Sequence, residues 1–380
     1  MRFNFTGTIR ANDIDAEKSP LVRKGKTKSG NSWQSLNISV AANSNRAFLE
    51  LFGSKNDTIK TKNSDGEDIE IDWSDRTDKD VIKDVAEYRK FLFVDGDDRH
   101  EFISEYDLIN HVVENIDDIK GKKFTVTGTT SKNFYNGKVS DRFKIQRMYT
   151  ASDDRKDSLT INTVLYLTKD SIDTSDWKEE KKIILNGWTQ EYISAKDLNE
   201  DKGSNRYVPM TIIFDCSKIN FDNEKHIKQL QFRLNQIGLS YEKGKIANNI
   251  KAKKVLSNAV TLRYLNGAER KEFDESQLTD IQRQKVELGL AEVDDFRPAG
   301  DIYGERITEY RLIDIPLTGD FTDGFVYLDE ALSEFEEDIF EYTEDEEIDE
   351  DEFNGAMNEP EEKKSEEEDD DDEEDLEDLF

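Results

Sequence analysis

Three aromatic residues in the first 60 positions fall where β-strands would otherwise present polar side chains. Trp33, Phe48 and Phe52 sit out of phase with the apolar residues of their alternating runs. Flat rings exposed beside positive charge can stack on nucleobases while lysine and arginine neutralise the phosphates. The alternative is that a second layer or an inserted helix covers these rings, because aromatic residues are common in ordinary strand packing.

Basic residues accompany these aromatics. The predicted loop between the first two strands has no acidic residue from Lys18 to Lys28, and the stretch Lys132–Lys138 carries two aromatics around an Asn-Gly turn signal. Lysine-rich loops also occur as plain solvated loops. The residues predicted to contact nucleic acid are Arg10, Lys24, Lys26, Lys28, Trp33, Phe48, Phe52, Lys132, Phe134, Tyr135, Lys138, Arg142 and Lys144.

The elements that would position these residues follow from hydrophobic periodicity. Alternation predicts strands over 2–10, 33–40 and 47–53. It returns in 119–128, which is a turn followed by a strand, and in 141–149, where Phe143 and Ile145 face inward. An acidic insertion separates the two groups, with helical spacing from Val81 to Tyr88 and a helix over 105–116. His111 in that helix is interpreted as a surface or packing residue. Three strands, a helix and two strands is the element order of the OB-fold, whose first–second and fourth–fifth loops flank the binding face.

The same order recurs in the next segment. Strands are predicted at 159–167, 181–188 and 207–216, a helix at 224–236, and further strands at 246–256, 260–265 and 306–315, with another helix near 275–290. We therefore predict a second OB-like domain. It offers either a second binding surface or an ordinary mixed-charge surface. The residues of that possible surface are Trp188, Tyr207, Lys251, Lys253 and Lys254.

Charge is distributed very unevenly along the 380 residues. The net charge is -33, and the segment 329–380 holds 30 acidic and 2 basic residues, including an unbroken carboxylate run from Glu366 to Glu374. Such a run repels itself and has no apolar material to fold around, so we predict a disordered tail. The remainder, with 56 acidic and 51 basic residues, is nearly balanced, so the overall acidity does not argue against binding an acidic polymer. Apolar groups at the very end predict a partner-binding tip formed by Asp375, Leu376, Asp378, Leu379 and Phe380.

Composition argues against several classes of protein. The single cysteine, Cys216, excludes an intrachain disulfide framework and fits a reducing compartment, and we expect it to be an inert core thiol. Three histidines and the absence of P-loop, GxGxxG, GxSxG, HExxH and CxxC motifs predict a non-enzyme with no catalytic residues, metal or cofactor. No signal peptide and no stretch of roughly 20 apolar residues is found, so a cytoplasmic protein without a membrane partner is expected.

Two parts of the chain resemble bacterial and bacteriophage single-stranded DNA-binding proteins. One is the stretch Ile119–Tyr149, with the segments IKGKKFTVTG, YNGK and RFKIQRM, and the other is the acidic tail ending on Phe380. The phage branch is the more similar, because the chain is long, has two body domains and carries insertions. With the element order, this implies a mainly β fold with inserted helices (α+β): two OB-fold-like barrels in tandem followed by a disordered acidic tail. The expected boundaries are 1–152, with an insertion at about 56–118, then 158–328 and 329–380.

The resemblance implies a protein that coats single-stranded DNA without sequence specificity during replication, recombination and repair, in the host cytoplasm if phage-encoded. Its tip would recruit polymerase-, helicase- or primase-type enzymes. Two departures are visible: the bacterial tip has Ile-Pro before its final Phe where this chain has Asp378 and Leu379, and bacterial members carry one OB domain per chain and form tetramers. Their oligomeric state therefore does not transfer.

A rival hypothesis is a non-enzymatic interaction protein whose acidic tail mimics DNA or chaperones a basic partner. It predicts tight binding to basic proteins and none to oligo-dT. An enzyme would instead require a metal or nucleotide dependence that no motif suggests. DNA and RNA stay equally open as ligands, because no feature of the sequence reads a 2′-hydroxyl.

Overall fold

Most of the secondary structure of this protein consists of β-strands, in which apolar residues alternate with polar ones. The computed structural model describes residues 1–14, 16, 19–27, 30–135, 138–193, 198, 201–271, 278–287, 302–316 and 327–328; for 133–135, 138–139, 269–271, 287, 302–305 and 327–328 it describes the backbone only. All of these belong to the first of the chain's two units, Met1–Tyr342. The predicted tail with its tip, Lys28, and the Asn136-Gly137 turn lie outside the described residues.

The first half contains ten strands and three helices among its described residues. They are β1 (Arg2–Ala11), β2 (Val22–Lys26), β3 (Ser32–Ala42), β4 (Asn45–Ser54), β5 (Thr58–Lys62), β6 (Asp68–Asp72), α1 (Lys79–Asp84), β7 (Phe91–Asp95), β8 (Asp98–Phe102), α2 (Glu105–Glu114), α3 (Ile116–Ile119), β9 (Lys123–Tyr135) and β10 (Lys138–Thr150). The second half comprises β11 (Ser158–Leu167), β12 (Ile172–Asp173), β13 (Lys182–Ile193), β14 (Ser204–Asp215), α4 (Glu224–Gln236), β15 (Leu239–Glu242), β16 (Lys245–Asn248), β17 (Val255–Lys271), α5 (Asp280–Glu287), β18 (Ile302–Asp314) and β19 (Tyr327–Leu328).

Five strands of the first half pair in a closed circuit. β1 pairs with β3, β3 with β4, β4 with β10, β10 with β9, and β9 returns to β1. Every pair is antiparallel except β4–β10, which is parallel. We call this set of strands circuit 1. Its inward side chains, among them Phe5, Ile9, Leu36, Leu49 and Phe143, are buried.

The second half repeats this arrangement strand for strand. β11 pairs with β13, β13 with β14, β14 with β18 in parallel, β18 with β17, and β17 with β11. We call this set circuit 2. The order first–second–third–fifth–fourth, with a parallel third–fifth pair, is the same in both. The predicted mainly β fold with inserted helices is confirmed, and so is the recurrence of the element order.

The two circuits join through their first strands. Residues Arg2–Thr6 of β1 pair with β11, whereas residues 8–11 of the same strand pair with β3. Gly7 lies at the change of partner, where a Cβ atom would sit 2.3 Å from the carbonyl oxygen of Ala41. Only glycine allows the strands to approach so closely.

One hydrophobic core runs through both circuits. Phe5 and Phe143 of circuit 1 lie with ring centroids 6.3 Å and 5.1 Å from that of Tyr264 in circuit 2. The buried residues of the two halves form one continuous cluster. Burial also raises the pKa of the Tyr264 hydroxyl to about 12, so this ring stays neutral in the core.

Helices occupy the same connection, between the third and fourth strands, in both circuits. In α2, the hydroxyl of Ser104 accepts a hydrogen bond from the Tyr106 N–H and caps the helix, and Leu108, Ile109 and Val112 face the core. In α4, the side chain of Asn223 accepts from the Lys225 N–H, and Leu230 and Leu234 are buried. The helices predicted over 105–116 and 224–236 are confirmed.

Three local expectations differ from the structure. The predicted loop at 18–30 contains β2, which pairs with β3 because Leu21 and Val22 have a core to enter. The strand predicted over 246–256 is interrupted: β16 ends at Asn248, and a turn with Lys253 at φ 59° precedes β17. The helical spacing ending at Tyr88 stops earlier, because α1 ends at Asp84 and Tyr88 lies exposed in a 3-10 turn.

Two further observations concern other sequence expectations. Cys216 is buried, which raises the pKa of its thiol to about 12, as expected for an inert core residue. Within the described ranges, no helix has the length and apolar character needed to cross a membrane.

Candidate nucleic-acid interface

The outer surface of β3 and β4 carries exposed aromatic rings. Phe48 and Phe52 are 55% and 44% exposed, so neither a second layer nor a helix covers them. They lie four residues apart on one side of β4, which at a rise of about 3.3 Å per residue separates them by about 13 Å. Strand alternation places Trp33 of β3 on the same side. We call Trp33, Phe48 and Phe52 the aromatic face.

Trp33 is held flat at one end of this face. Its ring stacks on Phe52, with centroids 5.7 Å apart and planes inclined by 30°. On the other side the indole lies over Gly25 of β2, where a Cβ atom would come within 2.6 Å of the ring. Trp33 is half-buried by these contacts, so it both supports Phe52 and extends the aromatic face.

Positive charge lies along the aromatic face. The Arg46 guanidinium sits over the Phe48 ring, 4.9 Å from its centroid, and its Nε donates to the Ser39 hydroxyl over 2.6 Å. Arg10 is exposed and lies opposite Ser39 in the β1–β3 register. On the neighbouring β10, Lys144 is exposed opposite Glu50, and Arg142 forms an ion pair with Glu50 over 3.6 Å.

A cleft of about 1000 Å³ continues from Phe52 between β10 and the insertion. Besides Phe52, its lining includes four aromatics and four cations: Phe3, Tyr88, Phe91, Tyr149, Arg2, Arg89, Lys144 and Arg147. Glu50 and Glu105 are the two acidic residues of that lining, and burial raises the pKa of the Glu105 carboxyl, which favours its neutral form. Because four cations outnumber two carboxylates in its lining, the cleft carries a net positive charge.

The insertion is fixed as one wall of this cleft. The Gln146 amide donates to the Tyr88 carbonyl over 2.6 Å, and Arg147 donates to the Glu87 carbonyl over 3.0 Å. These bonds hold the turn Glu87–Arg89 against β10. Tyr88 is exposed, and the guanidinium of Arg89 lies 5.6 Å from its ring centroid. An aromatic and a cation are thus presented together opposite the strand wall.

Several predicted contact residues lie elsewhere. Lys24 and Lys26 are exposed but pair with Gln34 and Ser32, which puts them on the opposite side of β2 from the Trp33 ring. Lys132 is 7% exposed and is neutralised by Asp141 over 2.7 Å, and the Tyr310 hydroxyl donates to the same carboxylate. For Phe134, Tyr135 and Lys138 the structure describes the backbone of the β9–β10 hairpin and not the side chains.

Sequence reasoning missed seven residues of this surface: Arg2, Arg46, Tyr88, Arg89, Phe91, Arg147 and Tyr149. Arg2 and Arg46 had a usable signal, because each alternates with the core residues of its own strand. Tyr88 and Arg89 had none, since they belong to an acidic insertion whose path against β10 depends on long-range hydrogen bonds.

Circuit 2 presents aromatics on the equivalent strands. Trp188 and Tyr192 of β13 alternate with buried neighbours, Tyr207 of β14 precedes the buried Val208, and Tyr192 is 62% exposed. Tyr207 contacts Tyr166 edge-to-face at 5.0 Å. The predicted lysines Lys251, Lys253 and Lys254 are exposed in the turn before β17, not on these strands.

The surface formed by the aromatic face and the cleft exposes mainly aromatic and cationic side chains. Over the described part of the chain, no group of three or more His, Cys, Asp or Glu side chains could hold a metal ion. Its exposed features are flat rings and cations, which match the bases and phosphates of a nucleic-acid strand.

Comparisons with known proteins add little to this geometry. No protein-family model and no curated protein matches the chain. Among solved structures, a deletion mutant of the single-stranded DNA binding protein from Thermus aquaticus aligns with 85% of this chain and 97% of its own, at 9% identity and a TM-score of 0.30. Because a TM-score of 0.30 does not establish a common fold, any function for this chain has to rest on its strand pairing and side chains.

Proposed function

We propose that the chain is a non-enzymatic, single-stranded DNA-binding protein that coats its ligand without sequence preference. Each circuit is proposed to be an OB-type barrel, because its pairing order and parallel third–fifth pair match that topology. The observation that carries the proposal is the exposed aromatic face of β3 and β4, with Arg46 and Lys144 beside it.

A single strand fits this face better than a duplex. Aromatic rings stack on base faces, and a duplex hides those faces inside its own stack. Stacking tolerates every base, since each has a π-face, and phosphate neutralisation reads no sequence. We therefore expect little preference among sequences and a strong dependence on salt.

The acidic tail has a separate proposed role. Its charge of -28 would compete with phosphates for the cations of the body, and its tip, Leu379-Phe380, would enter an apolar pocket on a replication, recombination or repair enzyme. In this proposal the protein acts on DNA that is exposed during those processes, in the cytoplasm of a bacterium or of a phage-infected host. The proposal is supported by charge and composition alone, as the tail lies outside the described residues.

Binding of labelled oligonucleotides tests the function directly. Fluorescence anisotropy should show tight binding to oligo-dT, weak binding to a duplex, and weaker binding to both at higher salt; oligo-U in parallel measures the preference between DNA and RNA. Binding to a basic protein with none to oligo-dT would instead support the DNA-mimic or chaperone hypothesis.

A stacking variant tests the site. Phe52→Ala should weaken oligo-dT binding by about 1–3 kcal/mol, the usual loss for one base–aromatic stack. Phe232→Ala is the matched control, because Phe232 is a similarly exposed aromatic on α4. Equal affinities for the two variants would remove the aromatic face from the interface.

Deleting residues 329–380 tests the tail. At low salt, the truncated chain should bind oligo-dT more tightly than the full chain, and the difference should shrink as salt shortens the Debye length to roughly 10 Å at 0.1 M. An unchanged affinity at low salt would show that the tail does not compete for the binding surface.

A further inference from the structure

Three guanidinium groups gather where the two circuits meet, next to Phe48. Arg10 and Arg46 come from β1 and β4 of circuit 1 and lie on either side of Ser39. The Ser39 hydroxyl accepts a hydrogen bond from Arg46 Nε and donates one to the Arg10 carbonyl oxygen over 3.3 Å. Arg306 comes from β18 of circuit 2. We call Arg10, Arg46 and Arg306 the arginine junction.

Asn266 of β17 fixes the third arginine in place. Its amide nitrogen donates to the Arg46 carbonyl over 3.0 Å, and its amide oxygen accepts from Arg306 over 3.1 Å and from Thr308 over 3.3 Å. The next residue, Gly267, pairs with Asn45 at the β3–β4 turn, where a Cβ atom would lie 2.0 Å from the Ser44 carbonyl oxygen. Close packing of the circuits therefore brings Arg306 towards Arg46.

The junction concentrates like charge. Burial lowers the pKa of Arg46, and Arg10 and Arg306 lower it further because each adds a nearby positive charge. In the part of the chain that the structure describes, no carboxylate forms an ion pair with any of the three. By contrast Arg76, Arg99, Arg142 and Arg311 each have a carboxylate partner. Uncompensated cations held together by hydrogen bonds are suited to an anion.

We propose that the arginine junction binds a backbone phosphate of the strand whose base stacks on Phe48, so that circuit 2 completes the interface of circuit 1. This inference rests on the proposed function. The position of Arg46 over the Phe48 ring puts the phosphate site directly beside a stacking site. Guanidinium groups suit this role because their planar N–H groups pair with two phosphate oxygens at once.

The salt dependence of binding tests the junction. In oligo-dT titrations between 50 mM and 200 mM salt, the double variant Arg10→Gln/Arg306→Gln should lower the slope of log K against log salt by about 0.7 for each phosphate that the variant no longer neutralises. It should also bind several-fold more weakly at low salt. Arg283→Gln, an exposed arginine on α5, is the control and should keep the wild-type slope.

Further readouts separate the possible failures. Thermal unfolding confirms that each variant folds, and Arg306→Lys, which keeps the charge and loses the paired N–H geometry, should fall between wild type and Arg306→Gln. If the wild type does not bind oligo-dT, the proposed function itself fails. If the wild type binds and the folded double variant keeps both slope and affinity, the phosphate site alone is overturned.

Discussion

Circuits 1 and 2 have the same strand order and differ in what surrounds their second and third strands. In circuit 1 an arginine lies over an exposed phenylalanine, and an insertion builds a charged cleft at one end of the aromatic face. In circuit 2, Tyr207 of β14 packs against another aromatic residue, Tyr166. Among the described residues, no cation lies over the ring of Tyr192 on β13. The connection between β14 and β17 is α4 and the short β15–β16 hairpin.

This contrast shows that the strand-pairing order and the character of the exposed surface are set by different residues. The inward side chains, and the glycines where two strands come very close, determine the order in which the strands pair. The outward side chains, and the connection between the third and fourth strands, determine the exposed surface. Circuit 1 is therefore expected to dominate binding, with circuit 2 contributing through Arg306 and, to a smaller extent, its own aromatics.

The largest expected effect concerns whether the circuits unfold together. Phe143→Ala removes a buried ring that contacts Phe3, Phe5 and Tyr264, and should lower the free energy of unfolding by about 3–5 kcal/mol. Because Tyr264 belongs to circuit 2, urea denaturation should show one transition, shifted as a whole. Leu185→Ala in the core of circuit 2 should shift that same transition. Two transitions, of which Phe143→Ala moves one, would support the division into independent domains at 152–158.

The next effect compares the two outer faces directly. Phe48→Ala should weaken oligo-dT binding by about 1–3 kcal/mol, because it removes a stacking ring flanked by the arginine junction. Tyr192→Ala, at similar exposure on circuit 2, should weaken it less, since Tyr192 has no described cation over its ring. Anisotropy titrations at one salt concentration measure both. Equal losses would make the circuits equivalent binding surfaces.

A smaller effect is expected from the cleft between β10 and the insertion of circuit 1. Tyr88→Ala should weaken oligo-dT binding by about 1 kcal/mol, at the lower end for a single stack, because the insertion adds to an interface already formed by β4. The matched comparison is Phe232→Ala, which should leave affinity unchanged. If Tyr88→Ala also binds like the wild type, the strand does not enter the cleft.

The smallest effect is a pH response confined to the insertion of circuit 1. The ring of His111 lies 4.4 Å from that of His100 and contacts Phe93, and burial, then the neighbouring His100, lowers its pKa below 6.5. The folded state therefore binds fewer protons than the unfolded state. The contribution of neutral His111 to the stability of the folded state is fully present above about pH 6.5 and is lost as the pH falls below that value.

Hydrogen exchange of the α2 amides at pH 7 and pH 5 measures this response. Exchange protection should decrease at pH 5 in the wild type and change less in His111→Phe, which keeps an aromatic ring and cannot take up a proton. In circuit 2, α4 carries a single histidine, His226, and serves as the internal reference. A loss of protection at pH 5 that is equal in the wild type and the variant would exclude His111 as the cause.

Much of the architecture could be predicted from local periodicity. The alternation of Phe3, Phe5 and Ile9, and the helical stripes of Leu108 and Val112, specify their elements because each must bury one side against a common core. The recurring element order predicted the second circuit. Strand β2 was missed, because Lys24, Gly25 and Lys26 have no strand signal of their own and depend on pairing with β3.

The candidate site could be predicted only in part. The positions of Phe48 and Phe52 followed from strand parity, and the structure confirms that both rings are exposed. Strand parity could not predict which cations lack an acidic partner. Lys132 forms an ion pair with Asp141, nine residues away across a hairpin whose register the sequence leaves open. The roles of Lys24 and Lys26 as phosphate contacts stay predictions.

By itself, the sequence determined which side chains face inward or outward along each strand, and that 30 of the acidic residues are concentrated in the segment 329–380. These are properties of neighbours in the chain, fixed by the periods of strands and helices. Only the tertiary structure decided which cations form ion pairs with carboxylates and which residues distant in the sequence share a surface. Arg10, Arg46 and Arg306 span almost 300 residues, and strand pairing between the two circuits is what brings them together.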